Sequence, residues 1–174
     1  MNWKELLTVE IENAYATTEG LLEKVSDGEL NWKPSDGSNW MTMGQLLCHI
    51  ASACGVCFKG FITGDWGMPE DMDLSDLKPE DMLPPAEKFP TVESVEEAKR
   101  GLAEDKRIAY EMLEQVSEDN LANQKVTAPW DPREKILGLQ LLHMIYHLKS
   151  HKSQLFYYLK LQGKQVNTAD LWGG

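Results

Sequence analysis

Four times in this chain a Ser, Thr, Asp or Asn is followed three residues later by Glu or Gln, just ahead of apolar residues at helical spacing. The pairs are Asn2 with Glu5, Thr42 with Gln45, Ser94 with Glu97, and Asp131 with Glu134. The first side chain accepts a bond from an orphan N–H of the opening turn, and the second reaches back to the cap residue's own N–H. Pro132 follows the last cap, where its missing N–H costs little. Leu7, Ile11, Ala14, Thr18, Leu21 and Val25 then recur along one helix face, ended by Gly28. Leu46, Ile50, Ala53, Cys57 and Phe61 mark a second helix, ended by Gly64, and Val95, Ala98, Leu102, Ala109, Leu113 and Val116 mark a third. The fourth is expected from about Pro132 to Gln162, with Gly163 as its C-terminal cap. No segment reads as a period-two strand. The expectation is a single all-α domain over residues 1–174, a four-helix bundle. Its long connection, Thr63 to Glu93, lets helices two and three run parallel.

Between Ile136 and Leu148 the fourth helix is apolar on nearly every side, so it is buried on more than one face. It is either central in the bundle or shared with a second copy, and a homodimer through helix four, with helix one, is expected. The net charge of −11 arises mostly between Asp65 and Glu97, where eleven Asp and Glu meet two Lys. That stretch reads as a solvated surface connection. An acidic chain without a basic stripe disfavours nucleic acid as a partner. No apolar run of about 18 residues exists, so no membrane span is expected. The first residues lack the pattern of a signal peptide. Three cysteines, an odd number, argue against a disulfide scaffold and fit a reducing compartment, so a cytoplasmic location is expected.

The chemistry concentrates in histidines. His143, His147 and His151 stand four residues apart on the fourth helix, which aligns them along one stripe. The remaining histidine, His49, lies at the edge of the apolar face of helix two. A single histidine on an apolar face is usually a hydrogen-bonded core residue. An i, i+4 pair with a third imidazole on a facing helix is how bundles build metal sites. His147, His151 and His49 could bind one divalent first-row ion, Zn²⁺ or Ni²⁺ being the main expectations. Three protein ligands leave a position open for water or substrate.

Two further features invite chemistry. Cys54-Gly55-Val56-Cys57 is a C-x-x-C, but no βαβ setting surrounds it. Some all-helical peroxidases place a His four residues after such a motif; here that position is Phe61. The cysteines are read as small core residues. Asp105 interrupts the apolar stripe of helix three. It either reaches solvent at the stripe's margin or orients a ligand histidine.

His147-Leu148-Lys149-Ser150-His151-Lys152-Ser153-Gln154-Leu155, followed by Tyr158-Leu159 and Gly163, resembles the last-helix signature of the DinB/YfiT-like superfamily, roughly H-x-x-x-H-R-G-Q. Leu46-Leu47-Cys48-His49-Ile50 is similar to its second-helix motif, and Leu30-Asn31-Trp32-Lys33-Pro34 to the turn before it. The resemblance spans the chain in order and length. It implies a four-helix bundle with metal ligands His49, His147 and His151, members that are often dimers, and relatives that act with low-molecular-weight thiols as transferases or isomerases. Lys152-Ser153 stands where Arg-Gly is usual. Stripe geometry permits His143 as a ligand, but the three-position match leaves it out. It is read, with Gln154 and Asp105, as second shell or pocket lining. Two functions follow: a metal-dependent transferase or hydrolase acting on an undetermined small molecule, or a non-catalytic bundle riveted by its metal.

Overall fold

A computed structural model describes residues 1–67 and 85–173. The chain is mostly helical. Helix α1 spans Trp3–Leu22, α2 Met43–Ile50, α3 Gly55–Thr63, α4 Val95–Gln115 and α5 Glu118–Asn123. A hairpin of β1 (Lys125–Ala128) and β2 (Asp131–Ile136) leads into α6 (Leu137–Leu161), and α7 (Thr168–Trp172) follows. Three long helices, α1, α4 and α6, share one core with the bent pair α2–α3.

Contacts between the helices fix their directions. Val92 N–H donates to the Gly44 carbonyl, while Gly55 and Gly101 sit against Asp105 and Ala51. Residue numbers therefore rise together, and α2–α3 runs parallel to α4. Helix α1 runs antiparallel to α4, with Tyr15 on Asp105 and Glu23 on Lys99. It runs parallel to α6, where Gly138 lies against Trp3 and Lys149 pairs with Glu10.

Two of the expected capping boxes form, at Asn2–Glu5 and Thr42–Gln45. At Ser94 the cap forms by half: Ser94 accepts from Glu97 N–H, but the Glu97 carboxylate turns to Glu93 N–H. The fourth pair fails. Asp131 opens strand β2, and its carboxylate takes the side chains of Arg133 and Lys135 in place of an opening turn. Asp131, Arg133 and Lys135 alternate, the spacing that puts side chains on one face of a strand. Cross-strand pairing of Val126 with Lys135 and an ion pair between Lys125 and Glu134 complete the hairpin. The expectation of no strand is therefore corrected. Helix α6 starts five residues later than expected, with Leu137 N–H capped by the Gln124 carbonyl.

The second helix is also not continuous. It breaks over Ala51–Cys54, and its halves bend by 41°. The all-round apolar surface of α6 is largely used within the chain: Leu137, Leu141, Met144, Ile145 and Leu148 are buried, Leu142 is partly buried, and Leu139 and Tyr146 remain exposed. Among the described residues no single helix is long and apolar enough to cross a membrane. Most of the acidic connection, residues 68–84, lies outside the described residues. Cys48, Cys54 and Cys57 are free.

Candidate metal centre

His49 occupies the last turn of α2, and His147 and His151 occupy successive turns of α6. The two helices run antiparallel here, since Tyr158 O–H reaches back to the Met41 carbonyl. This register sets His49 opposite the histidine pair. The Nε2 of His147 lies 3.2 Å from that of His49 and 2.9 Å from that of His151. Three nitrogens on one ion at about 2.0–2.1 Å would stand roughly 2.9–3.4 Å apart for angles between 90° and 109°. The separations fall in that range, and the three ligand atoms all lie within 4.8 Å of one another.

The outer nitrogens decide what those three atoms can be. His147 Nδ1 lies 3.1 Å from the Ala53 carbonyl, and His151 Nδ1 lies 2.7 Å from Gln154 Oε1. The Ala53 backbone carbonyl only accepts, so in His147 Nδ1 carries the proton and Nε2 presents a lone pair; with the Gln154 amide oxygen turned to His151, the same holds there. Two lone pairs facing each other at 2.9 Å are unfavourable unless a positive charge lies between them. A proton is a poor candidate. Burial pushes all three histidines below the usual 6.5, and His49 falls to about 4, with His151 and His147 adding like-charge repulsion. The donor set therefore fits a divalent cation: neutral imidazoles, converging, each half-buried, two with ring orientations fixed from behind. Phe89 stands edge-on to His49, ring centroids 5.5 Å apart, and limits its rotation.

The remaining sequence candidates fall around this cluster. Gln154 is exposed and touches His151. His143 is one turn earlier on α6 and outside the cluster; burial and nearby Lys135 depress its pKa. Asp105 is 1 % exposed, and its hydrogen bonds go to groups other than the histidines, although its charge acts on His147. Its carboxylate accepts from Tyr15 O–H at 2.7 Å, Val56 N–H at 2.8 Å and Cys54 N–H at 3.2 Å. The expectation that it reaches solvent is thus overturned, because the break between α2 and α3 supplies buried donors for it. Burial raises its pKa, opposed by those donors. The Ala53 carbonyl went unforeseen: a backbone atom leaves no side-chain signature, although Gly55 beside the break was a weak sign. Burial also pushes the Cys57 thiol up to about 12 and Cys54 well above its usual range, as unreactive core thiols.

Lys152, where Arg is usual, is buried, with Nζ 2.5 Å from the Leu171 carbonyl and 5.8 Å from the Trp172 ring. It ties α6 to α7.

The fold and site define a helical protein with a three-imidazole cluster built across two helices. The DinB superfamily model matches residues 10–155. The chain belongs to the DinB superfamily. Its structure is similar to the crystal structure of a DinB-like protein from Bacillus cereus ATCC 10987, with a TM-score of 0.68 at 16% identity, covering 94% of this chain and 95% of that one. No curated protein matches the sequence.

Proposed function

We propose that the chain is a metal-dependent enzyme that binds one divalent first-row ion, zinc or nickel, through Nε2 of His49, His147 and His151. The observation that carries this reading is the convergence of the three Nε2 atoms from two helices, with His147 Nδ1 turned to the Ala53 carbonyl so that its Nε2 lone pair faces the cluster. The partial exposure of all three rings favours chemistry over a sealed structural rivet. A cation held by three neutral ligands supplies Lewis acidity and lowers the pKa of a water or thiol that reaches it. That chemistry suits a transferase acting with a low-molecular-weight thiol, or a hydrolase. The residues of this chain hold the imidazoles neutral and oriented; among the described residues no Cys, Asp or Glu joins the three histidines in the cluster.

Elemental analysis of protein purified without chelators tests the ligand set. The wild type should carry close to one equivalent of metal, the His147→Ala protein little, and the His143→Ala protein as much as the wild type. Full occupancy in the His147→Ala protein would reject the site. Turnover of thiol-dependent and ester substrates by loaded protein, absent in the His49→Ala protein, then separates an enzyme from a metal-binding bundle.

A further inference from the structure

Helix α3 begins without a cap of its own. Its cap residue is Cys54, which makes no side-chain bond to the opening turn. The acceptor comes from another helix: Asp105 of α4 takes the N–H groups of Cys54 and Val56. A carboxylate at a helix N-terminus also meets the positive end of the helix dipole. Tyr15 of α1, 0 % exposed, donates its hydroxyl to the same carboxylate and fixes it from behind. Gly55 allows this approach, because a Cβ there would overlap the Asp105 backbone carbonyl.

The break held by Asp105 has a direct effect on the metal cluster. In a continuous helix the Ala53 carbonyl would accept from Cys57 N–H and face along the axis. Here α3 starts its backbone bonding one residue later, with Phe58 N–H on the Cys54 carbonyl. The residues before it close in tight turns, Ser52 N–H on His49 and Ala53 N–H on Ile50. The Ala53 carbonyl is left out of the helix and accepts from His147 Nδ1.

We infer that Asp105 is a positioning residue for the metal centre. With Tyr15, it anchors the α2–α3 break so that the Ala53 carbonyl fixes the tautomer and orientation of His147. Its bonded route to His147 runs through the backbone at Cys54, 51 residues away in sequence, and its negative charge also acts on that ring through space. The inference rests on the metal-site reading for its consequence, but its geometric core can be tested on the metal-free chain.

Three measurements test it on the whole chain, on Asp105→Asn and Tyr15→Phe variants, and on Leu113→Ala. The last removes a buried α4 side chain and destabilises without touching the break. The imidazole ¹H–¹⁵N spectrum of metal-free wild type should show His147 protonated on Nδ1. The Asp105→Asn protein should show a tautomer mixture, and Leu113→Ala the wild-type pattern. Competition with a chromophoric chelator should show Zn²⁺ binding weakened about 10- to 100-fold in Asp105→Asn and less in Tyr15→Phe, as for other groups that support metal-bound histidines. The Co²⁺ absorption spectrum should shift with it. In a His147→Ala background, Asp105→Asn should weaken the residual Zn²⁺ affinity no further. An unchanged His147 tautomer in Asp105→Asn, or equal weakening by Leu113→Ala, overturns the inference. A wild type with a fixed His147 tautomer that binds neither ion instead rejects the metal reading and leaves the anchoring role standing. If Asp105→Asn fails to fold, the Tyr15→Phe spectrum decides.

Discussion

Acidification of the metal-free protein should expose the strain of holding His49 neutral. Its pKa falls from 6.5 to about 4 because burial disfavours the charged ring and two imidazoles crowd it. The unfolded chain takes up this proton near 6.5, the folded chain only near 4. Between those values the unfolded state binds more protons, so stability rises with pH across the window and is lost on acidification. Between pH 7 and pH 5 the loss attributable to His49 is at most about 2 kcal/mol. Because the ring is only partly buried, screening reduces this to roughly 1 kcal/mol. Urea unfolding after exhaustive chelation, at pH 7 and pH 5, measures it. Carboxylates also titrate, so the decisive quantity is a difference: wild type should lose about 1 kcal/mol more than His49→Gln, which has no ring to protonate. Equal losses in the two proteins would refute the claim that the packed cluster keeps His49 uncharged.

Gly55→Ala should cost about 2–4 kcal/mol, because its Cβ overlaps the Asp105 carbonyl and the buried carboxylate then loses donors; a thermal midpoint equal to wild type would contradict this. Lys152→Met should free α7 from α6, raising amide exchange at Leu171 and Trp172 while metal content stays unchanged. A homodimer through the exposed Leu139 and Tyr146 face of α6, extended by Val9 of α1, should scatter light at twice 19.7 kDa and revert to one chain in Leu142→Glu; a mass near 19.7 kDa in wild type would reject the dimer.

His147 and His151 were legible because side-chain identity and the four-residue spacing survive in sequence, and His49 because it is the remaining histidine, at the edge of the apolar face of a facing helix; the resemblance implied the same three. The start of α6 was not. Asp131-Pro132 with Glu134 is a sound helix-start signal, but the same residues alternate in charge, and pairing with β1 prevailed over the local cap. The break in the second helix was hidden for a related reason. Ala53 and Cys57 keep helical spacing across it, and its cause, Asp105, lies on another helix. Asp105 was noticed as a polar interruption, yet its burial depends on N–H donors that exist only once the helix is broken. Ser26–Glu29 forms a capping box at a short 3₁₀ turn, a signal present in the sequence and passed over for want of apolar periodicity behind it.

The parallel run of α2–α3 beside α4 also sets a minimum on chain reach. After Thr63 the backbone must travel back along the pair before α4 can begin. Residues 43–63, if straight and helical, would measure about 30 Å at 1.5 Å per residue. An extended chain covers that distance in about nine residues at 3.3–3.6 Å each. Thirty-one residues lie between Thr63 and Val95. Some twenty of them are surplus to the crossing, and halving or doubling such a loop changes its closure entropy by only about 0.6 kcal/mol. The distance between α3 and α4 therefore does not dictate a stretch of this length, and its described end is put to use beside the cluster: Phe89 stands against His49 and Val92 N–H holds the Gly44 carbonyl.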